Sequence, residues 1–314
     1  MRWFVFSRLL SLLPLLFMLS VLVFLMLHMI PGSAAGVILA EAATLENVAA
    51  LERQMGLRDP LIMQYGRWIG RVLQGDLGVS LINGRSVVAT FRDRLPVTLS
   101  MAAGALSVSV IIGLSVGRLA GMRPGSRFDR LALAVASLGL AIPAFWLALL
   151  LVAKFAVELH WLPAVGYTPL EKSLTGWLRS LVLPWLALGL PSSAMIVHQM
   201  RSALRTTMQA PYIQAARATG IDGWALIVHH ALRNAMIPVV TVIGFELTHL
   251  IGGAFIVERV FALPGMGSLA TTAVLEHDLP LVQGVVLVTA CLVVFVNLLV
   301  DLCYGWLDPR IRTA

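Results

Sequence analysis

Six stretches of this sequence are apolar for long enough to cross about 30 Å of hydrocarbon as helices. They are Leu9–Ile30, Pro96–Leu119, Leu131–Val157, Leu181–His198, Ala235–Val257 and Leu281–Trp306. A water-facing surface needs charge, yet only 12% of the residues are charged against 59% hydrophobic, and mean hydropathy is +0.88. The sequence therefore predicts an all-α membrane protein of six transmembrane helices, with the lipid bilayer as the solvent for most of its surface.

Net charge is +7 and the sequence pI about 10.2. In a soluble domain that balance points to nucleic acid, but here the basic residues flank apolar spans as the positive-inside rule requires, so no nucleic-acid partner is expected. With the amino terminus inside, cytoplasmic stretches hold Arg2, Arg8, Arg118, Arg123, Arg127, Arg130, Arg201, Arg205, Arg217, Arg233, Arg310 and Arg312. The short external loops offer Lys154, Lys172, Arg179 and Arg259. Both termini are then cytoplasmic. Arg2 and Arg8 before an apolar run, with small residues at Ser33–Ala35, imitate a secretory signal. The run exceeds a signal core of about 7–15 residues, which favours an uncleaved first span.

The chain divides into a stub and first span (1–30), an external loop or cap (31–95) and a five-helix core (96–314) containing a cytoplasmic loop at 200–234. Within the cap, Leu61–Leu73 is amphipathic, and Gly75-Asp76-Leu77-Gly78 and Asn83-Gly84 read as turns. Tyr65 and Trp68 need burial, so short packed helices are expected there. Trp161, Trp177, Trp185 and Trp306 fall near span ends and read as headgroup anchors. Cys291 and Cys303 lie in the last span and read as packing residues.

In the 200–234 loop, Pro211 suits a first helical turn and Gly220 a left-handed terminator. Asp222 can then cap a second helix through Trp224–Arg233. Ala215, Ala216 and Ala218 give the first helix little bulk, while Tyr212, Gln214 and Arg217 give it an aromatic and polar handles. Two readings stand side by side on physics alone: a compact helix that enters a cleft on a partner, or a helical loop lying on headgroups.

Gln214-Ala215-Ala216-x-x-x-Gly220 resembles the Glu-Ala-Ala-x-x-x-Gly loop of permease subunits in ATP-binding-cassette (ABC) importers. Its context, Tyr212-Ile-Gln-Ala-Ala-Arg-Ala-Thr-Gly220 followed by His230-Ala-Leu-Arg233-Asn234-Ala-Met-Ile-Pro238, is similar to the dipeptide, oligopeptide and nickel permease family. The similarity runs along the chain through Gly75-Asp-Leu-Gly78, Leu95-Pro-x-Thr-Leu99, Pro143-x-Phe145, Leu162-Pro163, Gly252-Gly-Ala-x-x-Val-Glu258-x-x-Phe261-x-x-Pro-Gly265 and Asp301-Leu-x-Tyr304-x-x-Leu-Asp308-Pro-Arg-Ile-Arg312. Gln214 stands where the loop motif is acidic, and Pro211 where the family often has Asp. A neutral Gln hydrogen-bonds but forms no ion pair.

The resemblance implies a type I ABC importer permease fold in a bacterial cytoplasmic (inner) membrane. It implies a second homologous permease subunit, two ATPase subunits and an extracytoplasmic solute-binding protein as partners. Tyr212, Gln214, Ala215, Ala216, Arg217, Gly220, Arg233 and Asn234 then form the ATPase-coupling surface. Transport would proceed by alternating access. Relatives carry dipeptides, longer peptides, glutathione, nickel or metal–chelator complexes, and much of the selectivity in such systems resides in the binding protein. A nickel or metal–chelator importer permease of the same family is the alternative within the class, and an ion-coupled secondary transporter the alternative outside it.

ATP hydrolysis needs a phosphate-cradling glycine loop with a lysine, and the lysines are Lys154 and Lys172 alone. Gly166-Tyr-Thr-Pro-Leu-Glu171-Lys172-Ser173 puts a carboxylate where phosphate would sit. No cofactor is therefore expected on this chain, and ATP and Mg belong to partner ATPase subunits. His230-x-x-x-Asn234 and Ser268 fall on opposite sides of the predicted membrane, which disfavours a membrane hydrolase. The scattered histidines predict no metal site.

Glu246 and His249 lie within the fifth span, where ionisable groups are costly and face a bundle interior. Their spacing of three places them near one helical face, either lining a translocation path or holding packing. Glu258, at the outer end of that span, and Phe261 belong by resemblance to an external gate that can contact the binding protein. A solvated or locally paired end charge is the other reading of Glu258. Gly252-Gly253 offers close helix approach, as to a second permease, or a flexible gate.

Overall fold

A computed structural model describes residues 2–29, 36, 39, 44–54, 56–221 and 223–307. The described residues are helical apart from turns and one isolated antiparallel bridge, Val79 to Ser86. In chain order the helices are α1 (Arg2–Met29), α2 (Leu45–Gln54), α3 (Leu61–Leu73), α4 (Val87–Met122), α5 (Arg127–Ala141) and α6 (Ala144–Leu151). They continue with α7 (Leu174–Met208), α8 (Pro211–Ala218), α9 (Leu232–Val260), α10 (Met266–Leu275) and α11 (Leu279–Leu307). Wider π turns extend α6 through Val152–Glu158 and lead into α9 through Leu226–Ala231.

Among the described residues, four helices are long and apolar enough to cross a membrane: Val87–Met122, Leu174–Met208, Leu226–Val260 and Leu279–Val300. The third predicted span is not one straight helix. It breaks at Ile142-Pro143 into α5 and the α6 segment, which meet at 101°. The cause is local: proline pushes the residue before it out of the helical region, and Ile142 is extended at φ −87, ψ 118. Counted as one span, the bent pair raises the number to five. The apolar stretch of α1 with described side chains, Leu10–Met26, is shorter.

The chain forms two compact units. In the first, Thr98–Leu263 with Val296–Ala314, α7 is the centre and packs on α9, α5 and α6. It runs parallel to α4 at close quarters. A Cβ on Gly113 would lie 2.5 Å from Ile196, on Gly117 2.8 Å from the Val197 carbonyl oxygen, and on Gly121 3.1 Å from that of Arg201. Glycine at every fourth position lets the two backbones approach as side chains would not allow. Higher up, the Trp185 indole fills the space that a side chain at position 104 would need and donates to the Ser100 carbonyl at 3.1 Å. It also meets Trp177 edge-on at 5.4 Å. Trp185 is an interhelical wedge, not the headgroup anchor its position suggested, because Gly104 opens a slot for it.

In the second unit, Arg2–Val97 with Pro264–Phe295, the amphipathic α3 packs on α1. Tyr65 and Trp68 cluster with Phe24, and Ser20 is hydrogen-bonded to the Tyr65 hydroxyl at 2.8 Å. Val87 and Phe91 form a core with Met266, Leu269, Ala273, Leu281 and Val285. The buried Asp278 carboxylate caps the start of α11 and accepts hydrogen bonds from the Ser80 hydroxyl and the Leu81 amide, fastening the 75–86 turn.

Candidate functional site

The loop after α7 folds as the residue pattern dictates. Pro211 occupies the first turn of α8, where its missing N–H is no loss. At the other end, Gly220 has φ +88, with its N–H on the Arg217 carbonyl (2.9 Å) and the Ile221 N–H on that of Ala216 (3.1 Å). That pair of bonds is the Schellman terminator, which needs a left-handed residue. Asp222, expected as the next cap, lies outside the described residues.

One residue fixes this short helix. Ile213 is fully buried in a cluster with Met200, Ala203 and Leu204 of α7 and Leu226, Ala231, Ala235 and Val239 of the following segment. Around it, Tyr212, Gln214, Ala215, Arg217 and Gly220 are exposed, and Ala216 is half-buried. Gln214 reaches back to the Gln209 carbonyl at 3.4 Å. The Asn234 amide donates to the Tyr212 hydroxyl at 2.7 Å, joining α8 to the first turn of α9, and Arg233 beside it is exposed. The loop chemistry was legible; Ile213 was passed over, although it is the single large aliphatic residue between Pro211 and Ala218.

The separate second helix expected at Trp224–Arg233 is instead continuous with the fifth span. Helix begins at Gly223, passes through the π turn and enters α9 with Pro238 inside it. Nothing between 223 and 260 breaks it, since Pro238 falls early in a membrane-type helix where neighbours satisfy the freed backbone.

On α9, spacing and environment diverge. Glu246 is buried, with Ser192 of α7 beside it. His249 is exposed, its ring 6.4 Å from that of Phe245. Three residues are 300° of helix, so the two sit 60° apart, either side of the edge of the buried stripe. Gly252 follows on the exposed side with no side chain near it, whereas Gly253 touches Leu188.

Glu258 is not a solvated end charge. It is fully buried and accepts a 2.5 Å hydrogen bond from Thr98 of α4. Phe261 is 1% exposed, and its carbonyl accepts from the Gly166 amide at 2.9 Å. Both residues thus face into their own chain.

A further polar contact joins α5 to α7. Arg201 donates through Nε and through Nη2 (2.8 Å) to the two carboxylate oxygens of Asp129, which also accepts the Gly125 N–H at 2.8 Å. The side chains are 18% and 2% exposed, so a half-buried guanidinium meets a buried carboxylate. In the sequence Arg201 reads as an inside charge, because nothing in local periodicity links residues 72 positions apart.

Residues 96–313 match the family described as binding-protein-dependent transport system inner membrane component, and residues 1–102 match the N-terminal part of such membrane components. A putative peptide transport system permease protein of Brucella abortus is 37% identical over 308 residues, covering 98% of both chains. A dipeptide transport system permease protein of Alkalihalophilus pseudofirmus is 36% identical, covering 97% of this chain and 98% of its own. A glutathione transport system permease protein of Escherichia coli is 37% identical and covers 98% of each. In fold, the chain is similar to a subunit of an inward-facing MetNI methionine ABC transporter, with a TM-score of 0.57 at 18% identity over 70% of this chain and 96% of that one.

The family match and the relatives that cover nearly the whole chain show a multi-pass permease of the ABC importer class, seated in the cytoplasmic membrane. The chain belongs to the family of binding-protein-dependent transport system inner membrane components.

Proposed function

We propose that this chain is one of a pair of permeases in an importer for peptides or related small solutes, working by alternating access and driven by separate ATPase subunits. In this reading α1 and the bent α5–α6 pair are also spans, giving six, with both termini cytoplasmic. A solute-binding protein delivers cargo from the outer side. ATP and Mg reside on the motors. The peptide class is supported by the names of the relatives, which cover nearly the whole chain.

The observation that carries the reading is the construction of α8. Ile213 keys the helix into the permease, leaving Tyr212, Gln214, Ala215 and Arg217 as a low-bulk surface for a cleft on another protein. Ligands shift a conformational equilibrium only through differential affinity, so the motor must hold α8 with different free energies in its two states. Arg233 and Asn234 then pass displacement into α9. Glu246 and His249 are assigned to the translocation path, with Ser192 beside Glu246. Glu258 and Phe261 act at the outer gate by holding α9 and the segment after it rather than by touching the binding protein.

Purification of the permease with its neighbouring gene products tests this directly. Two ATPase chains should accompany it, and vesicles containing the complex should take up the binding protein's natural ligand, identified by mass spectrometry, only with ATP. Uptake driven by an ion gradient without ATP would overturn the reading.

A further inference from the structure

We infer that Asp129 and Arg201 are a positioning pair for transport, making α5 part of the body that α8 moves; the inference rests on the docking role proposed for α8. Displacement of α8 enters α7 first, because Ile213 packs in one cluster with Met200 and Leu204. Arg201 lies between those two residues in sequence and turns its guanidinium to α5. Both carboxylate oxygens of Asp129 accept from it. The same carboxylate holds the Gly125 N–H, and Ser126 caps the Asp129 N–H at 3.1 Å, so the pair also fixes the turn from which α5 starts.

The contrast with α4 shows what the pair adds. Against the same turns of α7, α4 is held by glycine contacts, Gly117 near Met200 and Gly121 near Leu204, which constrain separation by shape. A two-point guanidinium–carboxylate contact constrains angle as well, and its carboxylate is buried. Charge nearby reinforces the arrangement, since Arg205 sits one turn further along α7 and acts on the same carboxylate. Rotation of α7 under load from α8 therefore passes to α5 through the packing of Ala136 on Ala194 and Val197 and through this pair, which fixes the angle between the two helices. Asp129 and Arg201 touch neither motor nor cargo; they set how the motion is shared.

The test uses the complete transporter, with permeases, ATPase subunits and binding protein, reconstituted in vesicles. The readout is the factor by which the cognate, ligand-filled binding protein stimulates ATP hydrolysis over the basal rate. Asp129→Asn and Arg201→Gln should each lower that factor roughly tenfold while motors still co-purify and basal hydrolysis persists. The exchanged pair Asp129→Arg with Arg201→Asp should restore much of it. Wild-type stimulation in the single variants overturns the inference. So does a parallel loss of basal and stimulated hydrolysis with loss of motors that the exchanged pair fails to repair, which marks a packing role only. A cysteine at position 215 cross-linked to the motor separates the two levels: no cross-link in the wild-type background refutes docking by α8, whereas a normal cross-link with unchanged stimulation refutes the pair alone.

Discussion

The side-chain amide of Asn234 donates a 2.7 Å hydrogen bond to the hydroxyl of Tyr212, tying an exposed eight-residue helix to the first turn of a 29-residue one. Its neighbour Ile213 is fully buried in the cluster beneath. The two residues should respond differently to truncation. Tyr212→Phe removes one exposed hydrogen bond, worth about 1 kcal/mol or less. Ile213→Ala leaves a cavity and should cost about 2–5 kcal/mol. Thermal unfolding of the purified permease in detergent should therefore show a clear loss for Ile213→Ala and almost none for Tyr212→Phe.

Gly220 separates backbone strain from crowding. Nothing lies within 4 Å of a Cβ built there, yet φ is +88. Gly220→Val should cost roughly 1–2 kcal/mol through the left-handed conformation alone and weaken motor-coupled uptake. Gly220→Asn, which tolerates that region, should retain most of it. Equal uptake in both variants would refute a terminator role.

At position 104 the opposite holds. A Cβ would lie 2.0 Å from the Trp185 ring. Gly104→Ala should destabilise by about 1–3 kcal/mol through overpacking. Combined with Trp185→Leu, it should cost less than the two single changes added together, a non-additivity that a double-mutant cycle on thermal midpoints would reveal.

Glu246→Gln keeps a side chain able to bond Ser192 while removing the charge, so assembly should be unchanged. Uptake should fall about tenfold if the carboxylate lines the path. His249→Ala, on the exposed side, should leave stability intact. Unchanged uptake in both variants removes these residues from the path.

Hydropathy located the long helices and residue punctuation located α8, because both are properties of short windows of chain. Direction is not such a property. Leu131–Val157 is apolar almost throughout, and the backbone constraint of Pro143 on Ile142 turns it through 101°. Partners distant in sequence were equally hidden: Asp129 with Arg201 and Thr98 with Glu258 each join residues on separate helices. Trp185 resembled an anchor until the slot at Gly104 showed where its ring lies. Glu258 likewise read as an end charge because its burial depends on a neighbour 160 residues away.

The π turn at Leu226–Ala231 carries a consequence of its own. There the Leu232 amide bonds the Ile227 carbonyl, five residues back, so the turn accommodates one residue more than an α-helix would. Each residue is about 100° of rotation. Deleting any one of these six would close the turn to ordinary α-helix and leave the residues beyond it, Glu246 and Glu258 among them, facing as they do. The bearing of side chains along the whole of α9 is thus buffered at its entrance against the loss of one residue there.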